Sequence, residues 1–187
     1  MNNIQFVFPE IFLSLSIMFL LIFGVFKKKS SQLVQNLSLI ILIITAVITF
    51  NETMGISEFK LFNESVIIDF LSSFMKIVTL LAAFLVLVIS SNYLKISQIM
   101  KIEYPILILS SVLGMMIMIS SNDLIVFYMG LELQSLALYV LATFNRDQLK
   151  SSEAGLKYFV LSALSSGLLL YGCSLIYGFT GSTNFNF

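Results

Sequence analysis

The sequence predicts an all-α, polytopic membrane protein with about six transmembrane helices. Of its 187 residues, 58% are hydrophobic and only 11% are charged, whereas a soluble domain carries roughly a quarter charged residues. The apolar residues form long runs, and most runs approach or exceed the ~20 residues that cross a ~30 Å hydrocarbon core. The runs are continuous, so we expect helices rather than barrel strands with alternating hydrophobicity. The predicted spans are residues 11–26, 33–50, 66–92, 104–120, 124–143 and 153–179.

The first span is short and resembles the apolar region of a signal peptide. Its positive residues, at 27–29, follow the run instead of preceding it, and no small-residue cleavage pattern is present. We therefore expect a retained helix. The sequence has no Pro-rich or Ser/Gly-rich linker and no short-period repeat, so residues 1–187 are interpreted as a single transmembrane domain.

The loops between the predicted spans carry positive charge on one side of the membrane. The opposite side has a single basic residue, Lys60, among several acidic ones. Because loops on the cytoplasmic side carry the excess of Lys and Arg, we expect both termini outside and the lysine-rich loops facing the cytoplasm or matrix. The basic residues of these loops are Lys27, Lys28, Lys29, Lys95, Lys101, Arg146 and Lys150.

The composition excludes several classes of function. The formal net charge is zero, so the chain has no basic surface for nucleic acid. There is no His, and the single Cys173 cannot form a zinc or haem site by itself. No nucleophile–base pair or phosphate-binding glycine loop of a soluble enzyme is present. We expect no metal or redox cofactor on this chain and no nucleic-acid partner.

Glu132 is the acidic residue nearest the centre of a predicted span. It lies some 13 Å into the fifth span, where a charged group costs about 2.5–3.5 kcal/mol or more. Hydroxyl side chains at spacings of three and four residues share its helical stripe, and they can order water and pass protons to the carboxyl group. The alternative is a neutral carboxylic acid that is hydrogen-bonded between helices. The other residues of this polar stripe are Tyr128, Ser135, Tyr139 and Thr143.

Two lysines also lie within predicted spans. Lys76 shares a stripe with Asp69, but the ~10 Å between them along the helix makes a direct pair unexpected. Its structural alternative is to hold the third helix to a neighbour through a carbonyl or an acid. Lys157 lies four or five residues inside the sixth span, where its long stem can reach back to the inner interface. Snorkelling and a part in a proton relay are equally compatible with that position.

Two stretches of the sequence carry a family resemblance. Residues 121–147, SNDLIVFYMGLELQSLALYVLATFNRD, resemble the fifth-helix region of the antiporter-like subunit 2 (chain N) family of NADH:ubiquinone oxidoreductase, respiratory complex I. Residues 151–185, SSEAGLKYFVLSALSSGLLLYGCSLIYGFTGSTNF, are similar to the next helix of that family. Upstream, the FPEIF start and the stretches 69–81 and 103–118 also resemble it.

The resemblance implies a membrane-arm subunit that contributes to proton translocation coupled to NADH:ubiquinone oxidoreduction. It implies no redox centre on this chain, with NADH, FMN, iron–sulfur clusters and ubiquinone elsewhere in the complex. In the family, the acid of the GLELxSL motif belongs to an essential glutamate–lysine pair, and Glu132 matches it. The lysine of EAGLKYF belongs to the intramembrane charge chain and matches Lys157. The third-helix lysine matches Lys76.

The family continues beyond the point where this sequence ends. It has a seventh, interrupted helix that carries the partner lysine, followed by a second inverted repeat. We therefore expect, as partners, other complex I membrane subunits and a second polypeptide that supplies the remaining helices; the alternative is a fragment. Other functions remain open: a related cation/proton antiporter or membrane-bound hydrogenase subunit, or a structural spacer. The biased amino-acid composition of the chain predicts a location in the mitochondrial inner membrane, with a bacterial plasma membrane as the alternative.

Overall fold

A computed structural model describes residues 5–26, 31–53, 59–97 and 99–185, which form six α-helices, a short 3₁₀ turn at Gln5–Val7 and one β-hairpin. Five of these helices have the length and apolar composition to cross a membrane, and α4, with 17 residues, is apolar but shorter. The predicted all-α membrane fold is confirmed. The helices are α1 (Phe8–Phe26), α2 (Ser31–Thr53), α3 (Phe70–Ile96), α4 (Glu103–Ile119), α5 (Leu124–Ala142) and α6 (Leu149–Thr180).

A β-hairpin replaces the predicted start of the third span at residue 66. Strands β1 (Phe59–Leu61) and β2 (Val66–Ile68) pair antiparallel, and all three residues of β2 are β-branched, which favours extended backbone. Helix α3 begins only after Asp69, whose carboxylate accepts the Ser72 backbone N–H at 2.7 Å while the Asp69 N–H donates to the Ser72 hydroxyl. This reciprocal capping box sets the start of α3.

The hairpin lies at one end of the helices, together with the α4–α5 turn and the segment that follows α6. The Asn122 N–H donates to the carbonyl of Ser65 at 2.8 Å, and the Leu124 N–H donates to the carbonyl of Thr183 at 2.8 Å. We call this the hairpin end. It contains the first turns of α1, α3 and α5, which run in the same direction.

The opposite end carries the connections from α3 to α4 and from α5 to α6. There the Tyr104 ring packs edge-on against Phe144 at 5.6 Å, and the Lys101 ammonium lies 5.8 Å from the Phe144 ring. We call this the basic end, because four basic residues of the predicted inner loops lie at it, namely Lys95, Lys101, Arg146 and Lys150. Lys27, Lys28 and Lys29 lie outside the described residues.

Helix α4 joins the first three helices to α5. Its residues Leu109, Val112 and Met116 are fully buried in a core that α1, α2 and α3 complete. On its other side, α4 approaches the backbone of α5 at two glycines. A Cβ added at Gly114 would lie 2.6 Å from the Gln134 backbone nitrogen, and one added at Gly130 would lie 2.9 Å from the Gly114 carbonyl oxygen.

Helix α6 is the least covered helix. Gly155 is its one buried residue within the described chain, and the close approach of Thr143 to that glycine leaves no room for a side chain. Tyr139 packs edge-on against Tyr158 at 4.9 Å and Phe159 at 5.6 Å. The remainder of α6 exposes large apolar side chains along its length.

Candidate functional site

Glu132 lies in the middle of α5 and is half-buried. It is eight residues beyond the first residue of the helix, so its Cα is ~12 Å from the hairpin end. Its Oε1 atom is shielded from solvent and has no hydrogen-bond partner among the described residues. A buried carboxylate oxygen without a partner is costly, and such groups are commonly functional.

Glu132 is on the side of α5 that faces away from α4. Successive residues of a helix are rotated by ~100° about its axis, so Glu132 is displaced by ~200° from Gly130, which contacts α4. The four predicted stripe residues fall within ~60° of Glu132 by the same count. One side of α5 therefore packs closely against the backbone of α4, and the opposite side carries the polar stripe.

The serine and threonine hydroxyls of this stripe donate to carbonyls of their own helix. The Ser135 hydroxyl donates to the Leu131 carbonyl at 2.8 Å, and the Thr143 hydroxyl donates to the Tyr139 carbonyl at 3.2 Å. Each oxygen still has lone pairs that can accept a hydrogen bond from water. Tyr128 is half-buried about one turn closer to the hairpin end, and Tyr139 is buried against α6.

Lys157 lies deeper along its helix than the sequence predicted. Because α6 begins at Leu149 instead of residue 153, Lys157 is ~12 Å from the start of the helix. Its ammonium contacts the Glu153 carboxylate at 2.6 Å, and both side chains are more than half exposed. The residue is ~200° around the helix from Gly155, which faces α5, so it points away from α5.

Lys76 forms a buried ion pair with an acid that the sequence did not single out. Its ammonium lies 2.5 Å from Oε1 of Glu10, with 4% and 9% of the two side chains exposed. Glu10 is in the first turn of α1, one residue before the predicted first span of residues 11–26. The sequence signal that could have led to this pair is Lys76 itself, because a lysine buried within a span needs a counter-charge. Asp69 instead caps α3, in agreement with the expectation that it does not pair with Lys76.

The three predicted relay residues are therefore not brought together within this chain. Among the described residues, Lys76 is paired with Glu10 and Lys157 with Glu153, while Glu132 forms no ion pair. The described residues also contain no group of three or more His, Cys, Asp or Glu that could hold a metal ion. Among the described residues, Glu132 is the one predicted site residue with a buried side-chain oxygen, Oε1, that has no hydrogen-bond partner.

The fold and the site define a helical membrane protein with a buried acid in the middle of a membrane-crossing helix. Residues 121–187, which include Glu132 and Lys157, match the family described as NADH:quinone oxidoreductase/Mrp antiporter, TM. The structure is similar to respiratory complex I from Thermus thermophilus with bound aureothin, at 27% identity and a TM-score of 0.79 over 94% of this chain and 38% of that chain.

Two more distant solved structures share the fold. The archaeal membrane-bound sulfane sulfur reductase matches with a TM-score of 0.82 at 20% identity, over 98% of this chain and 39% of that one. The Mrp complex from Dietzia sp. matches with a TM-score of 0.74 at 20% identity, over 98% of this chain and 36% of that one. Sequence identity at this level supports the shared fold only.

The sequence is also similar over its full length to bacterial proteins of one name. It is 68% identical to NADH-quinone oxidoreductase subunit N of Pelagibacter ubique over 100% of this chain, and 50% identical to the protein of the same name from Maricaulis maris over 98%. The resemblance to the subunit 2 (chain N) family is thereby confirmed. The chain spans 39% and 38% of the lengths of these two relatives.

Proposed function

We propose that the chain is part of a membrane-arm subunit of respiratory complex I that contributes to proton translocation coupled to NADH:quinone oxidoreduction. The observation that carries the proposal is Glu132, whose Oε1 is buried without a partner near the middle of a membrane-crossing helix. The 68% identity to a protein named NADH-quinone oxidoreductase subunit N supports the assignment. In this proposal the chain is part of an enzyme complex and has no redox centre of its own.

The proposed mechanism is an electrostatic relay. A carboxyl group that faces a low-dielectric surrounding is more easily protonated, and an approaching ammonium group favours its ionised form. Movement of a lysine towards or away from Glu132 would then release or retain a proton. The half-buried hydroxyls of Ser135 and Thr143 lie on the same stripe and keep lone pairs for bridging water. The energy for the movement comes from quinone reduction elsewhere in the complex.

The relay needs partner helices, which we place against α6. The exposed face of α6 is apolar along its length and includes Lys157, and an exposed charged residue within a membrane-crossing helix is expected to face other protein. We propose that further helices cover this face, supplied by the remainder of a longer chain or by a second polypeptide. Other complex I membrane subunits would adjoin them.

We place the protein in a bacterial plasma membrane. Its named relatives are bacterial, which favours this membrane over the mitochondrial inner membrane that the residue bias predicted. We also propose that the basic end faces the cytoplasm and the hairpin end the periplasm. The distribution of Lys95, Lys101, Arg146 and Lys150 at one end supports this orientation.

The test is the proton-to-electron ratio of the reconstituted complex. Glu132→Gln keeps the shape of the side chain but removes its titrating charge, so we expect normal assembly with reduced proton translocation and reduced coupled quinone reduction. Glu132→Asp should retain part of the activity. Lys157→Ala should be comparable to Glu132→Gln if Lys157 lies on the relay, and milder if it only snorkels.

The matched control is Glu64→Gln, because Glu64 is exposed and pairs with Lys60 at 3.3 Å at the hairpin end. It should leave both assembly and pumping unchanged. Wild-type pumping in Glu132→Gln, at normal abundance of the complex, would refute the relay and favour the structural spacer. A related antiporter subunit has the same fold and is the alternative function. A loss of quinone-coupled activity in Glu132→Gln would distinguish a complex I subunit from it.

A further inference from the structure

A cavity of about 260 Å³ lies between α1, α3, α4 and β2, near the hairpin end and apart from the Glu132 site. Its deepest lining residues are Ser14, Lys76 and Leu113, and each is ~9 Å from the hairpin end of its helix. The cavity is therefore close to one surface of the membrane, where molecules with a polar head and an apolar body collect.

Most of the cavity wall is aliphatic. An apolar cavity of about 150 Å³ can hold a benzene molecule, so this cavity has room for a longer chain. Binding sites for small molecules typically combine such a wall with a few polar groups that fix the orientation of the ligand. The aliphatic lining residues are Val7, Ile11, Val66, Ile68, Leu113 and Ile117.

The Glu10–Lys76 ion pair supplies the charged groups of this cavity. The Lys76 ammonium donates to Oε1 of Glu10 at 2.5 Å, and 7% of Glu10 and 3% of Lys76 are exposed. Oε2 of Glu10 is buried and accepts no hydrogen bond from the described residues. A buried carboxylate oxygen without a donor is costly, so a molecule that offers an O–H group to Oε2 is held at this point.

The ion pair also determines the charge and the hydrogen-bonding groups of the molecule that fits. The two charges of the pair neutralise each other, and the other described lining residues are uncharged, so a further ion would be buried without a counter-charge. The bond to Oε1 uses one of the three N–H groups of the ammonium, and the others can donate to a hydroxyl oxygen. Ser14 and Ser120 already donate their hydroxyls to carbonyls of α1 and α4, so they do not supply the donor for Oε2.

We infer that this cavity is a binding site for a neutral amphiphile with a hydroxyl head, in chemical terms an aliphatic alcohol. The hydroxyl donates to Oε2 of Glu10 and accepts from the Lys76 ammonium, while the chain packs against the aliphatic wall. Water can donate to the same oxygen, but the aliphatic part of the wall offers water no polar partners. The site shares no residue with the Glu132 stripe, so the inference does not depend on the proposed relay.

The experiment is photolabelling of the purified complex in lipid nanodiscs with an octanol that carries a diazirine group. We expect label on peptides that contain Glu10, Ile11 or Ile117, and we expect plain octanol to prevent it. The methyl ether of octanol keeps the oxygen and the chain but has no O–H group. It should need an about 10-fold or greater concentration in the bilayer for the same protection, which corresponds to the loss of one hydrogen bond to a charged group.

Two variants separate the apolar part of the site from its polar part. Ile117→Phe fills the cavity without changing the ion pair, so it should abolish the labelling. Ile89→Phe, at a residue of α3 that is 74% exposed, is the matched control and should retain it. The double variant Glu10→Met with Lys76→Met removes both charges together and leaves no unpaired charge. In this variant octanol and its ether should protect equally.

Three results would overturn the inference. Equal protection by octanol and its ether in the wild-type complex would show that the hydroxyl is not recognised, and a preference for octanol that survives in the double variant would place the recognition elsewhere. Absence of label from the cavity peptides, or labelling that Ile117→Phe does not reduce, would show that the alcohol does not bind in this cavity.

Discussion

The contact between α4 and α5 should be unusually sensitive to the addition of a single methyl group. At Gly114, a Cβ would lie 2.6 Å from the Gln134 nitrogen and 2.7 Å from the Gly130 carbonyl oxygen. Both neighbours are backbone atoms of a helix, so neither can rotate away as a side chain would. An ordinary contact begins at 3.4 Å, so Gly114→Ala requires a local separation of about 0.8 Å.

The expected cost follows from this separation. Overpacking of a well-packed interface costs about 1–3 kcal/mol, and between membrane helices there is little hydrophobic driving force to offset it, because packing itself drives the association. The better helix propensity of Ala returns at most about 1 kcal/mol. We therefore expect Gly114→Ala to lower the free energy of unfolding by about 1–2 kcal/mol.

The assay is unfolding of the purified protein by SDS in mixed micelles, followed by far-UV circular dichroism. Gly24→Ala is the matched control, because the atoms nearest to its Cβ all belong to the Ile102 side chain, with Cγ2 at 2.5 Å, and that side chain can change rotamer. Gly114→Ala should be the more damaging of the two. The double variant of Gly114 and Gly130 should cost less than the sum of the single variants, since one separation accommodates both methyl groups. Equal effects of Gly24→Ala and Gly114→Ala would refute this reasoning.

Two further predictions concern the hairpin end. Asp123→Ala should lower the free energy of unfolding in the same assay by about 0.5–2 kcal/mol, because the Asp123 carboxylate accepts the Ile125 N–H at 2.8 Å and also the Thr183 hydroxyl. Asp123→Asn keeps an acceptor, so it should lower the free energy of unfolding by less. An equal loss in both variants would contradict the capping role. For orientation, cysteines introduced at Asn63 and Ser182 should be labelled from the periplasmic side and one at Asp147 only from the cytoplasmic side; periplasmic labelling at Asp147 would show that the orientation is wrong.

Hydrophobicity alone was sufficient to predict the helices, because a membrane-crossing helix must be long and apolar. The hairpin at Phe59–Ile68 was missed, since a short apolar run of β-branched residues next to a longer apolar run has no separate hydropathy signal. The start of α3 was displaced for a related reason, because the polar cap Asp69 sets it and hydropathy does not detect a cap. Helix α6 begins at Leu149, before the predicted span, because its first turn contains polar residues that lie outside the apolar run.

The site was predictable only in part. Glu132 and its stripe were visible in the sequence because residues three and four apart on a helix share a side. The Glu10–Lys76 pair was not, because its partners are 66 residues apart and only the packing of α1 against its neighbours brings them together. Long-range pairing of this kind depends on tertiary structure, which local periodicity does not encode.

The arrangement of α5 explains how an unpartnered acid can be kept within a stable helix. Gly130 commits one side of α5 to close backbone contact with α4, and α4 in turn is anchored in the core by Leu109, Val112 and Met116. The opposite side contributes little to that packing, so Glu132 can remain without a hydrogen-bond partner at Oε1 while the helix stays fixed. Any cation that reaches Glu132 must therefore approach from the side away from α4. Because Lys157 points away from α5 and Lys76 is held by Glu10, we expect that cation to come from helices that cover this side.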